Sequence, residues 1–140
     1  MAAKTFDINF RGYWRESDVA GIPSESGVYC VYECTYNKNN DTVGIHKLIY
    51  IGESNNVNGR IANHEKWEDW RKEVAKANEI CISFGQVDST YRERVEAALI
   101  YHHQPAVNTE CMEGFNYDRT TINTSDCNAK LSANFTVERT

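Results

Sequence analysis

Two short strings, Gly27-Val28-Tyr29 and Tyr50-Ile51-Gly52, each place a glycine and a tyrosine inside an apolar, β-prone run. Glycine in a strand interior weakens it unless another backbone or a substrate comes close. The two strings therefore constrain the chain to a pair of strands built for close approach. Val28 to Cys34 is β-branched and aromatic, as strands are. Its period of two puts Tyr29, Val31 and Glu33 on one face and Val28, Cys30, Tyr32 and Cys34 on the other. Lys47 to Gly52 reads as the second strand, and the asparagine-rich stretch Thr35 to His46 as a long polar connection.

Beyond that hairpin, Glu53 to Gly59 reads as a turn with Asn58 as the N-cap of a helix over 60–77. Trp67, Trp70, Val74 and Ala77 recur at intervals of three and four and mark its buried stripe. Ile80, Ile82 and Phe84 alternate in a third strand, Glu79 to Val87. Thr90-Tyr91-Arg92-Glu93 matches a capping box that opens a helix to about His102, with Pro105 just beyond its end. Residues 1–22 show no clean period and read as an irregular arm. Residues 109–140, rich in threonine, asparagine and serine, read as a polar tail whose structure the sequence does not decide. The expected architecture is one α/β domain, with a core over about 23–108 and a three-stranded antiparallel sheet flanked by helices.

At 140 residues the chain is long enough to bury a core without staples. Five cysteines, at 30, 34, 81, 111 and 127, are odd in number and scattered, which suits reduced thiols and excludes a structural zinc spacing. No apolar run reaches the ~20 residues of a membrane helix, and Met1 to Asp7 has no apolar signal core. These features point to the cytoplasm. The formal charge of -5 works against a nucleic-acid partner, since phosphate binding draws on lysine and arginine. Part of that excess lies outside the core: residues 1–36 and 105–140 each carry three basic and five acidic side chains.

The two strings, followed by Arg60, His64, Glu96 and Asn108, resemble the GIY-YIG nuclease family. That family combines a G-[IV]-Y strand, a Y-[IV]-G strand, a helix with an arginine and a later helix with a glutamate. Arg-x-x-x-His at 60–64 and Asn108 twelve residues after Glu96 are closest to its restriction-endonuclease branch. The resemblance implies a divalent-metal-dependent DNA endonuclease, with Mg²⁺ or Mn²⁺ held by Glu96. It implies Tyr29 as general base, Tyr50 as the group that positions water or phosphate, and Arg60 as charge compensation in the transition state. His64 would stand beside Arg60 on one helical face. Gly52 and Asn108 would support the site from behind.

These residues do not separate RNA from DNA. With flanks that do not comfortably hold an added recognition module, specificity would come from core loops, from a homodimer partner, or be absent. One departure is Glu53, directly after the second string, which would repel a phosphate unless it points away. The alternative is a catalytically inactive module of the same fold that binds nucleic acid or protein.

Overall fold

A computed structural model describes residues 2–140. Strands β1 (Lys4–Arg15), β2 (Gly27–Asn37) and β3 (Thr42–Ser54) come first, with a 3-10 turn over Glu16–Gly21 between the first two. Short helices α1 (Val57–Ala62) and α2 (Trp67–Lys72) follow. Then come β4 (Glu79–Gln86), α3 (Arg92–His103), β5 (Thr120–Asp126) and β6 (Asn134–Val137).

All six strands form one sheet in the order β3-β2-β4-β1-β5-β6, curled into a half-barrel. Every pairing is antiparallel except β1 with β5, where Lys4 lies beside Thr120 and Phe10 beside Asp126 in parallel register. This corrects the expected three-stranded antiparallel sheet flanked by helices. The triplet β3-β2-β4 is only half of the sheet, and the segments expected as arm and tail supply the other half.

The physical reason lies in β4. Its residues Ile80 to Gly85 are buried without a break, as in a strand covered on both faces. A three-stranded sheet would leave the outer edge of β4 open, and β1 takes it instead. Phe6, Ile8 and Phe10 alternate inward along β1, while Lys4, Thr5, Asp7 and Asn9 stay exposed. Thr120, Ile122 and Thr124 do the same along β5, and Phe135 and Val137 along β6.

The sheet separates two cores. On one face Phe10, Val28, Cys30, Tyr32 and Ile122 pack against Val95, Ala98 and Leu99 of α3. On the other, Tyr29, Val31, Ile82 and Phe84 pack against Val57 and Ile61 of α1 and Trp70 of α2. The face assignment read from β2 therefore holds, with both faces covered.

The connection expected over 35–46 is only a four-residue turn, because β2 runs to Asn37 and β3 begins at Thr42. The helix expected over 60–77 is two helices broken at Asn63 to Lys66, and Ala77 lies beyond both, exposed. Asn56, not Asn58, caps α1 by accepting the Gly59 N–H at 3.1 Å. Asn58 instead donates to the carbonyls of Ala20 and Ile22, tying the 3-10 turn to α1. The Thr90–Glu93 capping box does not form. Asp88 accepts the Thr90 N–H at 2.8 Å, and α3 starts after Tyr91 without a side-chain cap. The five cysteines are free, with 30, 34 and 81 buried. Among the described residues no helix is long and apolar enough to cross a membrane.

Candidate active site

The site begins where β2 and β3 pair. Tyr29 lies opposite Gly52 and Val31 opposite Tyr50, so both tyrosines rise from the same face, with ring centroids 6.3 Å apart. The Tyr29 ring crosses directly over Gly52. A Cβ at that position would stand 2.8 Å from the ring Cε2 and closer still to Cζ and Oη. The glycine of the second string thus makes room for the tyrosine of the first. Gly27 serves another purpose, letting the Gly85 carbonyl of β4 pass where a Cβ would be.

Tyr29 is buried and its hydroxyl meets His64 Nε2 at 2.8 Å. The break after α1 places that histidine: it is not on the Arg60 face of a continuous helix, as the one-turn spacing implied, but turned inward beyond the helix end. Its Nδ1 accepts the Lys66 N–H at 3.1 Å. An accepting Nδ1 puts the single proton of neutral imidazole on Nε2. His64 therefore donates to Tyr29 Oη, leaving the tyrosine proton free to point elsewhere. Burial, and then the Arg60 charge, lower the His64 pKa to about 4, so the ring is neutral near pH 7. Trp70 packs on it at 4.5 Å between centroids. Burial raises the Tyr29 pKa, and Tyr50 adds to the rise while Arg60 opposes it. Tyr50 is pushed up to about 12, chiefly by burial and then by Glu96.

Arg60 on α1 and Glu96 on α3 meet Tyr50 across a cavity of about 210 Å³ that Glu65, Lys66, Ile100, Asn108, Thr109 and Glu110 also line. Four separate parts of the chain deliver these groups to one place. Tyr29 and His64 stand behind Tyr50 and do not line the cavity. Arg60 is held by a bidentate pair with Glu65, Nη1 to Oε2 at 2.6 Å and Nη2 to Oε1 at 2.9 Å.

Glu96 is half-buried. Its pKa rises to about 8 through burial first, then through the charges of Glu53, Glu110 and Glu93; the Glu53 N–H, donating to it, acts in the opposite sense. Glu53 itself turns to the Arg92 guanidinium, which neutralises much of the repulsion its position suggested. Asn108 works on the sheet edge. Its Oδ1 accepts the Ile51 N–H and its Nδ2 donates to the Ile51 carbonyl, both at 2.9 Å, while the Val107 N–H donates to the Ile49 carbonyl. The loop after α3 is thereby fastened to β3 as if it were a further strand.

Sequence reasoning missed Glu65, Lys66, Thr109 and Glu110. For Glu65 the signal was weak, since helical pairing is sought three or four residues away. Here α1 ends at Ala62 and the partner stands five residues on.

Among the described residues no group of three or more histidines, cysteines or carboxylates converges on a metal position. A single carboxylate can nevertheless hold Mg²⁺, which keeps most of its own waters. Glu96, which lines the cavity with Tyr50 and among other carboxylates, fits such a hydrated ion in donor type and would shed its proton to hold it. Comparison with family models, with curated proteins and with solved structures returns no match to this chain, so an assignment stands on these side chains and their arrangement.

Proposed function

We propose that this cavity hydrolyses phosphodiester bonds in nucleic acid, DNA in the first instance, with Mg²⁺ or Mn²⁺ at Glu96. The observation that carries the reading is the convergence of Tyr50, Arg60, Glu96 and Asn108 from β3, α1, α3 and the following loop on one cavity. These are four of the residues whose order along the chain resembles the GIY-YIG nucleases; Tyr29, implied there as general base, and His64 do not line the cavity.

Arg60 presents a planar fork that matches two non-bridging phosphate oxygens and the charge that builds on them during attack. Tyr50, which lines the cavity and stays a neutral phenol, orients the attacking water. Tyr29 acts through position: with Oη accepting from His64, it holds the histidine and the Tyr50 ring in place from behind. Asn108 fixes the β3 edge against which Tyr50 is held. A bound Mg²⁺ or Mn²⁺ would supply compensating charge for the phosphate and a more acidic coordinated water. Glu96, whose raised pKa keeps it largely protonated near pH 7 without a cation, would give up that proton on binding one.

The test is plasmid nicking with Mg²⁺ or Mn²⁺, with and without EDTA, comparing the unaltered protein with Glu96→Gln and Arg60→Ala. Nicking should need the metal and vanish in Glu96→Gln. It should fall roughly 10²–10³-fold in Arg60→Ala, the usual cost of one preorganised charge-stabilising donor. Cleavage by Glu96→Gln at the unaltered rate would rule the reading out. A second reading, a binding module without turnover, draws on the closed Arg60–Glu65 pair. Nucleic-acid binding with no nicking under any metal would favour it.

A further inference from the structure

We infer that Glu65 is a specificity-determining residue of this cavity: it occupies the Arg60 fork as a resident carboxylate, and only a polyanionic ligand displaces it. The inference rests on reading the cavity as a phosphate site and says which anions that site admits.

Both terminal nitrogens of Arg60 are taken, one by each oxygen of Glu65. A phosphodiester presents two non-bridging oxygens at a similar spacing and needs the same two donors. Carboxylate and phosphate therefore compete for one seat. The pair is built to open, because the Glu65 side chain is 64% exposed and Arg60 35%. The other neighbours of Glu65 are its own backbone N–H, which tethers it locally without Arg60, and His64 Nδ1 at 3.7 Å, which already accepts the Lys66 N–H and gives Glu65 no competing grip. Lys66 lines the cavity without an ion pair among the described residues, and remains to draw an anion in.

A small anion exchanges like for like with Glu65 and gains little. A nucleic-acid strand brings neighbouring phosphates and releases condensed counterions as it binds, which tips the exchange. Glu65 thus screens out free phosphate and carboxylates while admitting a strand.

The experiment measures anisotropy of a short fluorescein-labelled DNA duplex in EDTA, where turnover cannot interfere. Inorganic phosphate serves as competitor. The proteins are the unaltered chain, Glu65→Gln, Arg60→Ala, the Arg60→Ala/Glu65→Gln double variant and Glu68→Gln. Glu68 is a charge control: it pairs with Arg71, which keeps Glu16 as a second partner at 2.7 Å, so its loss frees no fork.

Glu65→Gln should bind the duplex about two- to fivefold more tightly, the scale of an exposed ion pair. It should also gain sensitivity to inorganic phosphate, and its salt dependence should steepen by about 0.9, one phosphate contact. The gain should vanish when Arg60 is alanine and be absent in Glu68→Gln. Unchanged or weaker binding by Glu65→Gln, or an equal gain without Arg60, would overturn the inference. Its fate separates from that of the catalytic reading: a gain without nicking leaves an anion seat and no nuclease, and nicking without a gain leaves a nuclease and no screen.

Discussion

Gly52→Ala tests the packing that joins the two strings. The added Cβ would stand 2.8 Å from Tyr29 Cε2 and nearer to Cζ and Oη. Carbon atoms rest at about 3.5–4.0 Å, so the ring would have to move by about an ångström. It has no room, because Tyr29 is 1% exposed and its hydroxyl is tied to His64. Forcing extra atoms into a packed core costs about 1–3 kcal/mol, and losing the Tyr29–His64 hydrogen bond adds about 0.5–1.5 kcal/mol. The expected total is about 2–4 kcal/mol, or roughly 6–12 °C in Tm for a domain of this size. Urea denaturation followed by near-ultraviolet circular dichroism reads both the stability and the tyrosine environment. In a double-mutant cycle, Tyr29→Leu should absorb most of the cost, since the shortened side chain no longer reaches over position 52. A loss below about 0.5 kcal/mol, or additivity with Tyr29→Leu, would refute the close approach of ring and backbone.

Asn108→Ala should cost about 2–4 kcal/mol by orphaning the buried Ile51 N–H and carbonyl, and hydrogen exchange at the Ile51 amide should accelerate selectively. Arg94 is buried and donates to Thr120 Oγ1 and to the carbonyls of Ala2, Asp118 and Arg119. Arg94→Met should destabilise by about 3 kcal/mol, with exchange rising first in β1 and β5 rather than around the cavity. Stability should depend on pH. The lowered His64 pKa, about 4 against 6.5, makes its contribution full above about 6.5 and lost as pH falls toward 4. The raised Glu96 pKa, about 8 against 4.5, acts in the opposite sense: its contribution is full below about 4.5 and lost as pH rises through 8. The two contributions offset each other between about 4.5 and 6.5, so without metal the urea midpoint should fall chiefly as pH rises from about 6.5 through 8, and millimolar Mg²⁺ should relieve that fall.

The central triplet was legible because its signals are local. Val28 to Cys34 and Ile80 to Phe84 carry a period of two in β-prone residues, and the Asn108 that pins the loop sits at a recognisable distance from Glu96. In the outer half of the sheet Phe6, Ile8 and Phe10 alternate over only five positions before Gly12 and a mixed aromatic and charged run, which leaves residues 1–22 without a clean period. The β5 partners of Phe6, Ile8 and Phe10 lie more than a hundred residues away, and no local pattern announces a parallel pairing. In β5 the inward positions are Thr120, Ile122 and Thr124, so threonines disguise a buried face as a polar tail. The break at 63–66 has no signature in the apolar pattern, because Trp67, Trp70 and Val74 all lie beyond it. There His64 takes into its ring the Lys66 N–H that a continuous helix would give to the Ala62 carbonyl. For the site, the identities of Tyr50, Arg60 and Glu96 were visible in the sequence. The inward turn of His64 and the Glu65 clasp depend on where α1 ends.

The parallel contact between β1 and β5 also shapes how the molecule is made. Asn9 meets Ser125 across 116 positions of sequence, so strands from near opposite ends of the chain lie side by side within the sheet. Closing so large a loop delivers no reward until it is complete, which makes high contact order slow. The β2–β3 hairpin and its helices can condense early, but β4 keeps a bare flank until β1 docks, and β1 keeps one until β5 arrives. Nascent chains thus pass through a stage with unprotected, aggregation-prone strands.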